Sequence, residues 1–342
     1  MMLLRKAEQS DLAEIFRLAK KSGIGITTLP KEIDVLELRL QWAIQSFSKQ
    51  VSAPNNEYYL FVLEDTINAT LIGISAIEAA IGSSTPCYYY KISEHANVCH
   101  KLNIQSHYQM LSLVDSHNGC SEMCTLFLDP AHRKDHNGAL LSRARFLFMA
   151  NNPERFADTV IAEIRGVCSD NGHSPFWDAV GEHFFHITFA QADRLKLIAH
   201  NPAIVDLIPK HPLYVPLLAK AAQAVIGKPH ATSIPAMHLL LDENFTFQHY
   251  IDVFDAGPTV EAARDTITTI KTSVLFTIEN ISADVGNVPC LMSNVTGDFR
   301  ATLTHANINH AARSVIINNK TAQLLKLSRG DVLRLAPLHN ES

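Results

Sequence analysis

Apolar and polar positions along the chain fall into two rhythms, one of helical and one of strand period. Residues 2–7 read as a short strand. Asp11 then takes the place of a helix N-cap with Glu14 three positions on, and Leu12, Ile15, Phe16 and Ala19 share one helical face. Gly23 ends that helix. After the loop 23–30 a second helix is expected over about 31–49, with Ile33, Leu36, Leu40, Ala43, Ile44 and Phe47 on its buried side. Two strand-like runs, 58–63 and 71–77, flank a polar turn around Asn68 and predict an antiparallel hairpin. The stretch 83–120 is less regular, and its Tyr88-Tyr89-Tyr90 run extends the sheet. Residues 124–128 form an apolar strand that stops at Asp129-Pro130. Beyond Gly138 a helix runs to about 150 on Leu140, Leu141, Ala144, Leu147 and Phe148.

Further along, a strand is expected over 159–167 and a helix capped by Ser174 with Pro175 at its first position. A helix over 236–242 and a strand over 247–254 follow. After about residue 263 the texture changes to short β-type runs (273–278, 288–292, 299–303, 314–317, 332–335) broken by Asn, Gly and Asp. The predicted class is α/β (α+β), a mixed sheet flanked by helices over 1–262, with a small, separate β-barrel-like domain over 263–342.

Composition narrows the function. The net charge is −5, with no basic excess, which argues against a nucleic-acid partner. Hydrophobic residues make up 47% and charged ones 18%, which excludes a disordered chain. The apolar stretch 70–82 is too short for a membrane span and Glu78 interrupts it. Arg5, Lys6 and Glu8 precede any signal-like apolar run, so a cytoplasmic protein is expected. Six cysteines show no C-x-x-C pair and read as reduced thiols, Cys124 and Cys168 as inert core groups. No histidine pair has metal-ligand spacing, so no metal is predicted. Gly23-Ile24-Gly25 lacks the rest of a dinucleotide fingerprint, and Gly73-Ile74-Ser75-Ala76-Ile77 fails as a nucleophile elbow at its last position.

The run from Cys124 to Leu141 carries the chemistry. A strand leads through Asp129-Pro130-Ala131-His132-Arg133-Lys134-Asp135-His136-Asn137-Gly138 into a helix. Such a turn leaves backbone N–H groups at the helix start without intrahelical partners, beside two basic side chains, and so suits an anion. The strand before it could offer backbone groups to an extended amide-bearing ligand. A pantetheine arm ending in a pyrophosphate uses both features. An ordinary strand–turn–helix with two exposed basic residues fits the spacing equally well.

Here the chain resembles the GCN5-related N-acyltransferase superfamily, whose acyl-CoA motif is strand, Arg-x-x-Gly-x-Gly, helix. It is similar more fully to the bacterial arginine N-succinyltransferases. The resemblance runs through Lys21-Ser22-Gly23 and Thr28-Leu29-Pro30, residues 124–130, Phe146-Leu147-Phe148-Met149-Ala150 and Ala162-Glu163-Ile164-Arg165-Gly166. It continues in Ser174-Pro175-Phe176-Trp177, Pro209-Lys210-His211-Pro212 and Tyr250-Ile251-Asp252-Val253-Phe254-Asp255. It implies a GCN5-related acyltransferase-like sheet and transfer of succinyl from succinyl-CoA, a co-substrate, to the α-amino group of L-arginine. This is the entry step of an ammonia-producing breakdown of arginine. It further implies Leu126 at the succinyl-CoA site, with Arg133, Asn137 and Gly138 in the phosphate turn, and His230 in Gly227-Lys228-Pro229-His230 as catalytic acid/base. One departure stands out: the motif's first glycine is His136 here.

Aminolysis of a thioester needs a proton removed from the α-ammonium and a proton or hydrogen bond for the leaving thiolate, work suited to histidine. With 17 histidines present, His211 is the rival to His230. The guanidinium of arginine calls for a carboxylate, and Glu163 is the candidate, set against the plainer reading of an edge or half-buried glutamate paired with Arg165. Lys210 and the loop 23–28 are candidate donors to the substrate carboxylates. Ornithine as acceptor, in a two-subunit enzyme, and a catalytically weak acyl-CoA-binding subunit are the alternatives. A homodimer is expected by frequency alone.

Overall fold

The structure, a computed structural model, describes residues 1–22, 29–169, 171–198, 207–283 and 286–338. Its strands are β1 (Met2–Lys6), β2 (Tyr58–Asp65), β3 (Thr70–Glu78), β4 (Tyr89–Cys99), β5 (Ile104–Val114), β6 (Ser121–Leu128), β7 (Thr159–Glu163), β8 (Leu213–Tyr214), β9 (Thr246–Asp252), β10 (Pro258–Ala263), β11 (Val274–Ser282), β12 (Val288–Asn294), β13 (Arg300–Asn309), β14 (Ser314–Asn318) and β15 (Val332–Pro337). They hydrogen-bond in the order β12-β15-β11-β14-β13-β1-β2-β3-β6-β7-β10-β9-β4-β5-β8. A further β12–β13 pairing closes the first five into a small barrel. Among the described residues, only β6–β7 and β11–β14 run parallel. The expected mixed sheet with a C-terminal β-barrel is the fold.

Period-two alternation in β2 explains how the sheet is covered on both sides. Leu60 and Val62 pack under α1 (Leu12–Lys21) and α2 (Ile33–Ser48), against Leu18, Leu36 and Leu40. Phe61 and Leu63 face the opposite way, onto α3 (Asn137–Asn151) through Leu140, Leu141 and Leu147. Each leucine fully buried in these layers contributes about 2 kcal/mol.

Two local expectations change. Asp11 closes a 3-10 turn, Gln9–Asp11, instead of capping α1 with its side chain. Its carboxylate accepts from Arg5 at 2.7 and 2.9 Å and from the Glu8 N–H at 2.8 Å, and a buried bidentate ion pair outweighs a cap bond. The irregular stretch 83–120 holds the longest hairpin, β4–β5, paired from Tyr89↔Val114 to Cys99↔Ile104. The barrel also joins the larger sheet, where β13 pairs with β1 at Leu4↔Ala301.

Candidate active site

Strands β6 and β7 pair only at Ser121↔Val160 and Glu122↔Ile161. Beyond that point β6 stays with β3 while β7 stays with β10, so a cleft opens between the two parallel strands. At its edge β6 bulges, with Thr125 and Leu126 opposing the single Ser75 of β3. Thr125 has φ +52, a conformation that β-branched residues avoid, and such strain costs on the order of 1–3 kcal/mol. Two buried contacts hold it. The Tyr58 hydroxyl lies 3.0 Å from Thr125 Oγ1, and Arg145 from α3 donates through Nη1 to the carbonyls of Ala76 (3.0 Å) and Cys124 (3.2 Å). Burial lowers that guanidinium to about 10. Bulges commonly mark sites where a strand must re-aim a residue, and here the re-aimed residue is Leu126.

The turn after β6 is fixed at its base by Asp129. Its carboxylate accepts from Lys21 of α1 at 2.6 Å and from the Ala131 N–H at 3.2 Å, contacts that hold it below the usual carboxylate range. Asp135 and His136 then both take positive φ, +52 and +59. His136 therefore fills the motif's glycine position in the left-handed conformation itself, a region that histidine enters more readily than most residues. Among the described residues, the backbone N–H groups of Asp135, His136, Gly138 and Ala139 donate no hydrogen bond, and α3 has no side-chain cap. These groups make an anion nest at a helix N-terminus. Arg133 is exposed beside it, its Nε donating to the Leu128 carbonyl at 3.3 Å. Asn137 is buried and pins the turn through Nδ2 to the His132 carbonyl at 3.0 Å. A Cβ on Gly138 would meet only Leu239 at 3.9 Å and Leu128 at 4.0 Å, so the protein itself leaves room for one.

His230 reaches the cleft from 65 residues downstream of Arg165, carried by the continuation of β7. Its N–H donates to the Arg165 carbonyl at 2.8 Å, and Pro229 bridges to Gly166. Glycine is required at 166, where a Cβ would sit 2.4 Å from the Asp255 carbonyl. The Asp255 carboxylate accepts the Gly166 and Gly257 N–H groups at 2.7 and 2.8 Å, locking this junction. Nδ1 of His230 accepts from the Thr232 N–H at 3.2 Å and lies 2.8 Å from Thr232 Oγ1. With Nδ1 used as an acceptor, the neutral ring carries its proton on Nε2.

Cross-strand register puts three carboxylates on the sheet face beneath α1 and α2. Glu78 is paired with Glu122, Glu122 with Ile161, and Glu163 lies two residues beyond Ile161. Glu163 accepts from the Tyr89 hydroxyl at 2.7 Å, and Arg165 turns to the Cys168 thiol at 3.0 Å, so the two are not an ion pair. Burial raises the Glu78 carboxyl to about 7, opposed by Arg39 and reinforced by Glu163. Burial also pushes the Cys124 and Cys168 thiols up, as inert core groups require.

The bulged edge of β6, the turn and His230 open on one cavity of about 1520 Å³. Leu126, Arg133, Asn137, Gly138, Glu163 and His230 line it together, although they come from separate parts of the sequence. Lys210 is exposed and is not among the residues that line this cavity, and neither is His211. The strand that follows them, β8, pairs with β5 at the outer edge of the sheet and draws this segment away. The loop 23–28 lies outside the described residues. Glu122, Arg145 and Thr232 line the cavity unforeseen. A charge inside an otherwise apolar strand or helix was the available signal for the first two; Thr232 offered none. Among the described residues, no group of three or more His, Cys, Asp and Glu could hold a metal ion, and no helix is long and apolar enough to cross a membrane.

A strand edge turned toward a cleft, an anion nest at its end and an imidazole across the gap define the class: an acyltransferase. Comparison with known proteins gives the family. The model of the arginine N-succinyltransferase beta subunit matches residues 2–269, and that of its C-terminal domain matches 272–337. The chain is 40% identical over 341 residues to an arginine N-succinyltransferase of Enterobacter sp. (strain 638), covering 99% of this chain and 98% of that protein. It is 38% identical over 346 residues to that of Yersinia pestis (strain Pestoides F), with the same coverage. The solved structure of arginine/ornithine succinyltransferase subunit AI from Pseudomonas aeruginosa superposes with a TM-score of 0.90 at 33% identity, over 99% of both chains. The chain belongs to the arginine N-succinyltransferase family.

Proposed function

We propose that the chain transfers the succinyl group of succinyl-CoA to the α-amino group of L-arginine, giving N2-succinyl-L-arginine and CoA. The observation that carries this reading is the shared cavity, in which the free N–H groups of the 135–139 turn and the bulged edge of β6 face the same space as His230. The diphosphate of CoA lies on the turn, helped by Arg133, with the backbone of Gly138 in close approach. The pantetheine arm runs along Leu126 and brings the thioester into the cleft. Asn137 serves by holding the turn in shape.

The α-amine attacks the thioester carbonyl, and the tetrahedral intermediate loses a proton from its nitrogen and collapses as the C–S bond breaks. His230 is the acid/base of this step, relaying the proton lost by the nitrogen to the leaving sulfur, which departs as the thiol of CoA. Glu163 receives the guanidinium of arginine. Six free thiols suit a reducing, cytoplasmic setting.

Thiol release is the test, measured with succinyl-CoA and acetyl-CoA against a panel of amino acids. Fast release with succinyl-CoA and arginine is the expected result, and no release with any amine sinks the reading. The solved relative's name includes ornithine, so kcat/KM for arginine and ornithine are compared directly.

A further inference from the structure

The cavity lining includes a cation that has no ion-pair partner among the described residues. Arg165 lines the cavity just beyond the end of β7, and its own carbonyl holds the backbone of His230. A guanidinium has five N–H donors. Among the described residues, this one makes a single side-chain hydrogen bond, from Nη2 to the Cys168 thiol at 3.0 Å, and sulfur is a weak acceptor. Its Nε is buried and, among the described residues, has no hydrogen-bond partner. No carboxylate among the described residues lies within ion-pair distance of it; Asp255, close by in the chain fold, is committed to the Gly166 and Gly257 N–H groups. A buried donor left in this state is costly, the more so when the group is charged, and such exceptions ask for an explanation. The other buried guanidiniums differ. Arg143 pairs with Glu243 at 2.6 Å, and Arg145 is bonded to main-chain carbonyls.

We infer that Arg165 is the receptor for a substrate carboxylate, either the terminal carboxylate of the succinyl group or the α-carboxylate of the acceptor amino acid. This rests on the acyl-transfer reading above. A carboxylate is the planar, bidentate partner that a guanidinium fork matches. The neighbouring His230 sets the distance to the reacting atoms, since both carboxylates lie a few bonds from the carbonyl carbon under attack. Arg165 is thus a specificity-determining residue that binds one end of a substrate while His230 serves the other.

Two paired comparisons on the full chain, each read by calorimetric binding and by thiol release, decide the matter. Succinyl-CoA is compared with butyryl-CoA, which has the same chain length without the charge. Arginine is compared with agmatine, which lacks only the α-carboxylate. The variants are Arg165→Met and the charge-conserving Arg165→Lys, with thermal midpoints recorded to check folding. If the succinyl carboxylate is the ligand, R165M binds succinyl-CoA about ten- to hundred-fold more weakly, butyryl-CoA binding is unchanged, and R165K recovers part of the loss. If the α-carboxylate is the ligand, the arginine-to-agmatine ratio collapses instead. Either ratio moving supports the inference. Both ratios standing in a folded R165M, or equal weakening of charged and uncharged partners, overturns it. Binding discrimination that depends on Arg165 in a wild-type protein releasing no thiol would strike the acyl-transfer reading while leaving the carboxylate receptor in place.

Discussion

The two nitrogens of His230 have different duties. Nδ1 is committed to Thr232, both to the backbone N–H and toward the hydroxyl, and this leaves Nε2 as the protonated nitrogen of the neutral ring. The nitrogen-15 spectrum of the neutral protein is accordingly expected to show His230 protonated at Nε2, and protonation at Nδ1 would contradict the geometry. Replacement by alanine removes the proton donor without disturbing the turn at 135–139. His230→Ala should therefore lose on the order of 10²–10⁴ in kcat with little change in the KM for succinyl-CoA. Equal loss in both constants would mean that the ring is part of the binding surface instead. Nothing in the residue pattern singles this histidine out among 17. Only the resemblance did so, because its partners Arg165 and Gly166 lie some 65 positions away and meet it through a two-residue junction.

The strand–turn–helix of residues 121–151 was the most legible element, since an unbroken apolar run, Asp-Pro and a helical stripe each announce themselves locally. Its bulge was not legible. Positive φ at Thr125 opposes local preference and is imposed from outside by Tyr58 and Arg145. The β4–β5 hairpin escaped for another reason. Over most of 94–107 both faces are wet, so the polar–apolar alternation that reveals a half-buried strand is missing. His136 is where a departure from the motif and the geometry come together. The turn requires a left-handed residue there, which glycine supplies freely, histidine tolerably and valine hardly at all. His136→Gly is expected to keep the KM for succinyl-CoA within about three-fold, whereas His136→Val should raise it about ten-fold or more. Titration of each variant with CoA checks the order. A valine variant that binds as well as the glycine one would show that the turn does not need this conformation to hold phosphate.

At the scale of the whole molecule the sheet is one continuous structure. β13 joins the barrel to β1, and the Arg143 Nη2 bond to the Pro337 carbonyl (3.3 Å) and the Arg334 Nε bond to Asn151 (2.7 Å) fasten it to α3. A change in texture along the sequence could not show that the barrel strands share a sheet with the N-terminal ones. Continuity of this kind lets a cost at the site be felt as stability of the entire fold, and Glu78 provides the measurable case. Around its carboxyl are Arg39 from α2, Tyr58 from β2, Glu122 and Cys124 from β6 and Glu163 from β7, so one cation faces several acids. Its folded value of about 7 lies above the 4.5 of an unperturbed glutamate. Between these values the folded chain binds more protons than the unfolded one, so this group makes stability fall as pH rises from 4.5 to 7 and adds no further loss above that. The full difference is about 3 kcal/mol. Asp65, Asp129 and Asp298, all held below the usual carboxylate value, act in the opposite sense and only at lower pH. Glu78→Gln is thus expected to melt a few degrees higher than wild type at pH 8, with the gap closing as pH falls through 7 toward 4.5. Thermal melts of both proteins across that range check it. A gap independent of pH would mean that the glutamine stabilises by packing, and that the carboxyl of Glu78 is not the charge the fold is working to suppress.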